Sequence, residues 1–456
     1  MLSRLRVRCS LLAGLVFAMA GCTPGERPDV LLVVVDTLRA DRLGSYGYAA
    51  ETSPQLDAFA AGGVVFERAL AASTLTAPSH ASLMTSRWVG EHAIGTSNGT
   101  SRLDGEPTLA ATLAAAGYET AAFVSNFVLR RYIGLDAGFD LYDDELPDVE
   151  ANRPIYRERK AAETTERALA WLASRGERPI FLFVHYQDPH GPYAAPPPFD
   201  ERFPELLVEA EPPLDVLPGQ KGPGGIPAYQ ALPDERRPSA YKRRYAQEIA
   251  SFDAELGRLL AAVRARGRPL VAAVTSDHGE SMGEVGYWFQ HGHASTPDLG
   301  RVPLVLQAPG LAPGRRSELV HHVDLMPTLL DLAGLPVPAA ARGIALGPYL
   351  RDGEPLPERT LFCDVGTDLS AYAGDRFYRR KRPRGQEGGQ SLAGTFRWSP
   401  GVPWARVEDD PELRRAVLRY EASRRPTHAD EATLPPADRE RLRALGYLEA
   451  AEEPAR

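Results

Sequence analysis

Three short runs in this chain are apolar at every position: Val30 to Val35, Ile180 to Val184 and Leu270 to Val274. Continuous runs of this length, bounded by proline or charge, read as parallel strands buried on both faces. Asp36 follows the first run, His185 and His190 the second, and Asp277-His278 comes shortly after the third. All are residue types that bind a metal or activate a nucleophile. Open parallel sheets build their sites at the carboxyl ends of the strands, so the pattern predicts that these distant residues meet on one sheet edge, as in an enzyme. Helical periodicity fills the intervals. Thr108 to Ala116 predicts a short helix closed by Gly117, and Val320 to Leu332 another closed by Gly334. From Ala240 to Gly267, Ile249, Phe252, Leu256 and Leu259-Leu260 share one helical face, and the helix leads into the strand before Asp277 as a right-handed crossover. The alternation of strand and helix predicts an α/β fold.

Residues 192–238 break the rhythm with Pro196-Pro197-Pro198, Pro212-Pro213 and Gly222-Pro223-Gly224-Gly225, and read either as a lid over the site or as a disordered insert. Past Leu350 the pattern weakens into a carboxy-terminal region, 351–456, in which Tyr378 to Arg384 reads as a solvated basic loop. The 456 residues, 43% hydrophobic, suffice for one large core or a large domain with a smaller one, and the net charge of -8 argues against a nucleic-acid partner. Arg4, Arg6 and Arg8 precede an apolar stretch from Leu11 to Ala20 and then Gly21-Cys22. This is a secretory signal that resembles a bacterial lipoprotein signal. The resemblance implies removal of residues 1–21, lipid on Cys22 and a membrane-anchored protein of the cell envelope, facing the periplasm or the exterior; an ordinary signal peptide cleaved nearby is the alternative. Of the three cysteines, Cys363 alone would then remain as a thiol, which rules out a disulfide framework.

A candidate nucleophile lies in the segment Thr74 to Thr85, where Pro78 and Ser79 are helix-start signals. The hydroxyl of Thr76 would sit at a helix amino end, where backbone N–H groups and the dipole favour a phosphate or sulfate.

The residues from Val33 to Tyr48, around Asp36-Thr37-Leu38-Arg39-Ala40-Asp41, resemble the amino-terminal signature of the sulfatase family, within the alkaline phosphatase superfamily. Thr52-Ser53-Pro54-Gln55-Leu56-Asp57 is similar to that family's TPNLD segment, and Gly62 to Phe66 to its GVVF. Thr76-Ala77-Pro78-Ser79-His80 stands where sulfatases carry C-x-P-S-R. Asp277-His278-Gly279-Glu280, His291-Gly292, Arg301-Val302-Pro303 and Val323 to Leu330 follow in family order, and the tail Leu442 to Leu448 is also similar. The resemblance implies a catalytic domain over residues 28–350 with an alkaline-phosphatase-like, mostly parallel central sheet and helices on both faces.

By position, the resemblance assigns Asp36, Thr76, Asp277 and His278 to one divalent metal ion. A mixed Asp/His set suits zinc or manganese better than calcium; a second ion using His190 or His291 is compatible with the same residues. Thr76 would be the nucleophile. His190 and His291, with His293 as the alternative to the latter, would hold the substrate's free oxygens or assist the leaving group, and His80 completes the catalytic set. The departures favour phosphorus over sulfur. Threonine cannot give the formylglycine of true sulfatases, His80 replaces their arginine, Thr37 replaces the second aspartate, and Val124-Ser125-Asn126-Phe127 stands where sulfatases have G-K-W-H, so the sulfate-holding Lys and His are missing. What remains resembles threonine-nucleophile phosphodiesterases and phosphoethanolamine transferases. The reading is a metal-dependent hydrolase or transferase acting on a phosphate or sulfate ester, with an envelope lipid or polysaccharide as substrate. A binding lipoprotein that kept the fold without the chemistry is the alternative.

Overall fold

The computed structural model describes residues 27–103, 105–219, 221–382, 392–425 and 434–444. The signal segment with Cys22, the end of the basic run at Pro383-Arg384 and the tail from Leu445 lie outside the described residues. The chain begins with β1 (Asp29–Val35), α1 (Pro54–Ala61), β2 (Val64–Leu70), α2 (Thr76–Thr85), α3 (Leu109–Ala115), β3 (Glu119–Phe123) and β4 (Leu141–Asp143). The hairpin β5 (Asp148–Glu150) and β6 (Arg153–Glu158) leads to α4 (Ala161–Ala173) and β7 (Ile180–Tyr186). The Pro/Gly-rich stretch holds the two-residue strands β8 (Asp215–Val216) and β9 (Gly225–Ile226). There follow α5 (Pro238–Arg264), β10 (Leu270–Ser276), α6 (Pro297–Gly300), β11 (Arg301–Gln307), β12 (Gly314–His321) and α7 (Leu325–Leu332).

Eight of these strands form one sheet in the order β12-β2-β11-β10-β1-β7-β3-β4. Only β11 runs against its neighbours β10 and β2; the other pairings are parallel. The three apolar runs are thus adjacent central strands, with Val35 opposite both Ser276 and Tyr186. Alternate side chains feed two cores. Val30, Leu32 and Val34 pack with Ala77, Ala81 and Leu83 of α2 and Leu325, Leu329 and Leu330 of α7. Leu31, Val33 and Val35 pack with Phe59 of α1, Ala168 of α4 and Ile249, Phe252 and Leu256 of α5. Helices therefore cover both faces, as a doubly wound α/β sheet requires.

The expected helix over 108–116 is α3, with Thr108 as its N-cap accepting from Ala111 N–H. The pattern over 240–267 corresponds to α5, which starts at Pro238. The segment 320–332 differs from expectation: Val320 and His321 end β12, and the α-helix begins only at Leu325. The cause is local capping, because the His321 imidazole accepts from Val323 N–H while Asp324 accepts from His321 N–H, which ends the strand in a 3-10 turn.

Beyond α8 (Gly347–Asp352), β13 (Leu361–Asp364), β14 (Asp368–Ala373), β15 (Arg376–Lys381), β16 (Leu392–Ser399) and β17 (Val402–Arg406) form a five-stranded antiparallel sheet. The basic run is therefore a strand through Lys381 and not a solvated loop. Phe377 and Tyr378 are buried, Arg379 pairs with buried Asp368 at 2.6 Å, and Arg380 pairs with Glu421 of the helix Pro411–Ser423. Its charges are used in ion pairs, and the intervening apolar residues build the small sheet's core. The stretch 192–238 is a packed cover: Tyr229 stacks near His190 with ring centroids 6.3 Å apart, and Gly222 N–H donates to Gln290 Oε1 at 2.9 Å. Among the described residues no helix is long and apolar enough to cross a membrane.

Candidate active site

Alternation along the three central strands decides where the site forms. Residues 30, 32 and 34 face the α2 side, so Asp36, one step past β1, faces it too. On β7, Phe181 and Phe183 face that side, so His185 does as well; on β10, Val271 and Ala273 do, which brings Asp277 to the same place. Ligand atoms of Asp36, His185 and Asp277 lie within 4.8 Å of one another, all three residues fully buried. Among the described residues this is the one such gathering of three. His185 was visible in the sequence as a strand-end histidine but was absent from the expected ligand set; the parity it shares with Phe181 and Phe183 is the signal that marks it.

The two carboxylates are each anchored by one oxygen. Asp277 Oδ1 accepts from the backbone N–H groups of Thr37 at 3.1 Å and His278 at 2.7 Å, leaving Oδ2 without a hydrogen-bond partner. Asp36 Oδ2 accepts from Asn126 Nδ2 at 2.6 Å, leaving Oδ1 without one. Both ring nitrogens of His185 are likewise unpartnered, with Nε2 3.6 Å from Asp36 Oδ2. Thr37 adopts a left-handed backbone (φ 56°), a conformation a β-branched residue takes only when its surroundings impose it. Here its N–H is held by Asp277 and its carbonyl by Tyr245. Burial raises the Asp36 carboxyl to about 6, against His278 and Asn126, which lower it, and raises Asp277 through burial and the Asp36 charge. Burial also lowers His185 to about 4. Two buried carboxylates with free oxygens beside a neutral imidazole lack a positive charge; this donor set fits a divalent cation.

Thr76 is the first residue of α2 and is 2% exposed. Its Oγ1 lies 3.4 Å from His278 Nε2, which is also 3.4 Å from Asp277 Oδ2. His278 Nδ1 faces the Gly279 carbonyl at 3.0 Å. A carbonyl only accepts, so Nδ1 carries the proton and Nε2 faces the Thr76 hydroxyl as its acceptor. His80, expected to be catalytic, stands behind Thr76. Its Nδ1 donates to the Thr76 carbonyl at 2.8 Å and lies 4.0 Å from Asp277 Oδ2, its ring is edge-on to His185, and burial lowers it to about 3. Ser79 donates to the Asp277 carbonyl at 2.7 Å, fastening α2 to the end of β10.

His291 and His190 form the opposite wall. The His291 ring lies 4.5 Å from that of His278 and 5.2 Å from that of His190. Its Nδ1 is 3.2 Å from Glu280 Oε1, whose partner oxygen accepts from Tyr193 at 3.3 Å. Burial lowers both histidines well below their usual range. His190 lies between Tyr156 and Tyr229, each with its ring centroid 6.3 Å away. His293 points elsewhere, stacked on Tyr287 at 3.8 Å. Thr76, His80, His190, His278 and His291 thus gather around the Asp36–His185–Asp277 triplet, with Glu280 and Asn126 as supports.

The sequence profile of the Sulfatase family matches residues 28–335. Iduronate 2-sulfatase of Homo sapiens is 26% identical over 426 residues, an alignment covering 75% of this chain and 75% of that protein. The delta 4,5-hexuronate-2-O-sulfatase of Bacteroides thetaiotaomicron is 26% identical, over 74% of this chain and 75% of its own. A phosphonate monoester hydrolase from Silicibacter pomeroyi shares the fold with a TM-score of 0.67 at 20% identity, covering 87% of this chain and 96% of that one. With its signature segments folded around one strand-edge centre, the chain belongs to the sulfatase family of the alkaline phosphatase superfamily and is an ester hydrolase of that family.

Proposed function

We propose that this protein cleaves or transfers a phosphate or sulfate ester by direct attack of the Thr76 hydroxyl, with phosphorus favoured over sulfur. The observation that carries the reading is the position of Thr76 Oγ1, buried at the start of α2 and 3.4 Å from the lone-pair nitrogen of His278. Sulfatase-family enzymes use a divalent metal. Asp36, His185 and Asp277 would hold it, with His278 Nε2 at the edge of the set; the imidazole donors suit zinc or manganese better than calcium. When bound, the ion acidifies the neighbouring hydroxyl and offsets charge on the ester oxygens.

The chain's own groups supply the rest. The amino end of α2 directs its dipole at the ester. His80 fixes the Thr76 carbonyl and with it the direction of Oγ1. His190 and His291 hold the ester's free oxygens from the far wall, and Glu280 orients His291 through Nδ1. Attack forms a bond from Thr76 Oγ to phosphorus as the ester oxygen departs, and water or an acceptor hydroxyl then releases the phosphoryl group. Such transfer depends on positioning and charge stabilisation, which this wall-to-wall arrangement provides. Threonine in place of a formylglycine precursor supports phosphorus. The named substrates of the two curated relatives, iduronate and hexuronate sulfates, make an anionic glycan ester the first substrate class to try. The amino-terminal pattern supports export and lipid attachment at Cys22.

The test compares nitrophenyl phosphodiester, phosphomonoester and sulfate, with zinc or manganese and then with chelator. Metal-dependent phosphodiester cleavage that disappears in Thr76→Ala is the expected result. A preference for the sulfate ester would overturn the choice of phosphorus, and metal binding without turnover of any ester would favour a binding protein.

A further inference from the structure

Beside the reaction centre lies a cavity of about 280 Å³ lined by three separate segments. Lys221 comes from the Pro/Gly-rich cover, Tyr287 and His293 from the loop after β10, and Thr367, Lys381 and Arg382 from the carboxy-terminal sheet. His291 of the catalytic wall is two residues from His293, and the charge of Lys221 is felt at both His291 and Glu280, so the cavity and the reaction centre are neighbours. The rim is basic. Lys221, Lys381 and Arg382 line it, and Lys381 Nζ donates to the His293 carbonyl at 3.5 Å; Asp368 pairs with Arg379 at 2.6 Å, and Glu421 with Arg380 and with Arg382 at 3.1 Å. Tyr287 braces the cavity, stacking on His293 and lying 5.6 Å below the Lys381 ammonium. His293 Nδ1 is buried without a hydrogen-bond partner. Burial, reinforced by Lys221, Lys381 and Arg379, pushes this imidazole down to about 3, the response expected of a group in a positive field.

We propose that this cavity is a second anion subsite, which holds a further sulfate, phosphate or carboxylate group of the same substrate molecule whose ester lies over Thr76. The inference deepens the proposed function and rests on its placement of the reacting ester. A substrate with two anionic groups would reach from the reaction centre into this cavity, with Lys221 and Lys381 supplying charge-assisted hydrogen bonds to the second group. Selection for a polyanionic ester would then reside in the cover and the carboxy-terminal sheet, and not in the reaction centre.

The test is titration calorimetry on the manganese-loaded full chain carrying Thr76→Ala. Product formation from each probe is assayed in parallel, so a variant that still turned a probe over would expose a failed nucleophile assignment separately from the affinity comparison. Two pairs of probes separate the sources of such anions: a chondroitin-type disaccharide with two sulfates against the same disaccharide with one, and the deacylated headgroup of diphosphatidylglycerol against glycerophosphoglycerol. In at least one pair the doubly anionic probe should bind about tenfold more tightly, and Lys221→Gln with Lys381→Gln should bring that pair to within about twofold. The pair that responds identifies glycan or lipid headgroup. Equal affinities within both pairs, no binding of either doubly anionic probe, or a preference that survives the lysine substitutions would overturn the proposal.

Discussion

The side-chain amide of Asn126 donates to Asp36 Oδ2 at 2.6 Å, and its own oxygen accepts from Tyr156 at 2.6 Å and from Val128 N–H at 2.9 Å. Those two donors fix which end of the amide points at Asp36. The carboxylate is thereby held by Oδ2, which lies 3.6 Å from His185 Nε2, while Oδ1 keeps no hydrogen-bond partner. Groups that orient a metal ligand in this way contribute strongly to affinity, so Asn126→Ala should weaken metal binding by about 10- to 100-fold. Competition against a fluorescent chelator measures it; an unchanged affinity would show that Asp36 needs no such support.

Thr76 begins α2 without a capping hydrogen bond at that end, so the fold makes little use of its hydroxyl. Thr76→Ala should lower turnover on the order of a thousandfold or more, while Thr76→Ser keeps a measurable part of it. The melting temperature of the metal-free protein should move little in either variant. A stable Thr76→Ala protein with full turnover would remove the hydroxyl from the chemistry.

Metal retention should separate the two histidine walls. His185→Ala deletes a member of the buried triplet and should lose metal by about 100-fold or more in affinity, whereas His291→Ala should keep the metal and lose rate. Metal content after dialysis, read beside turnover, distinguishes them. Equal metal loss in both variants would place His291 among the ligands.

A pH effect should come from His92, away from the metal triplet. Gly95 N–H donates to its Nδ1 at 3.2 Å and its Nε2 is 3.1 Å from Ser82 Oγ, so the ring is neutral in the fold, and burial lowers it to about 3. The unfolded state takes up the proton near the usual pKa of about 6.5, so this group's contribution is present above that pH and lost as pH falls toward about 3. Between about pH 8 and pH 5 the loss amounts to about 2 kcal/mol. In His92→Asn, whose amide oxygen can replace Nδ1 as acceptor, the drop in melting temperature over that range should shrink. An unaltered drop would assign it to other groups.

Much of this was legible in the residues. Val30–Val35, Ile180–Val184 and Leu270–Val274 are central strands because uninterrupted apolar runs can only be buried on both faces, and Asp36 and Asp277 stand at their ends. Thr76 at a helix start was legible from Pro78 and Ser79. His185 was harder. Choosing between it and His190 requires knowing that β7 extends through Tyr186 and which face its odd-numbered residues share, and that depends on pairing between distant segments. Glu280 became visible only through its contact with His291. The basic strand β15 was misread because its charges are balanced by Asp368 and Glu421, partners far away in sequence.

The triplet's members come from strands that begin at Asp29, Ile180 and Leu270. During synthesis, the amino-terminal half of the chain carries two of them, Asp36 and His185, and without Asp277 cannot hold a cation by this site. Metal uptake must therefore follow the pairing of β10 with β1, late in folding, so a bound ion certifies that the central sheet has closed. Any fragment that ends before Asp277, however well its earlier strands are formed, should be blind to zinc and manganese at this centre.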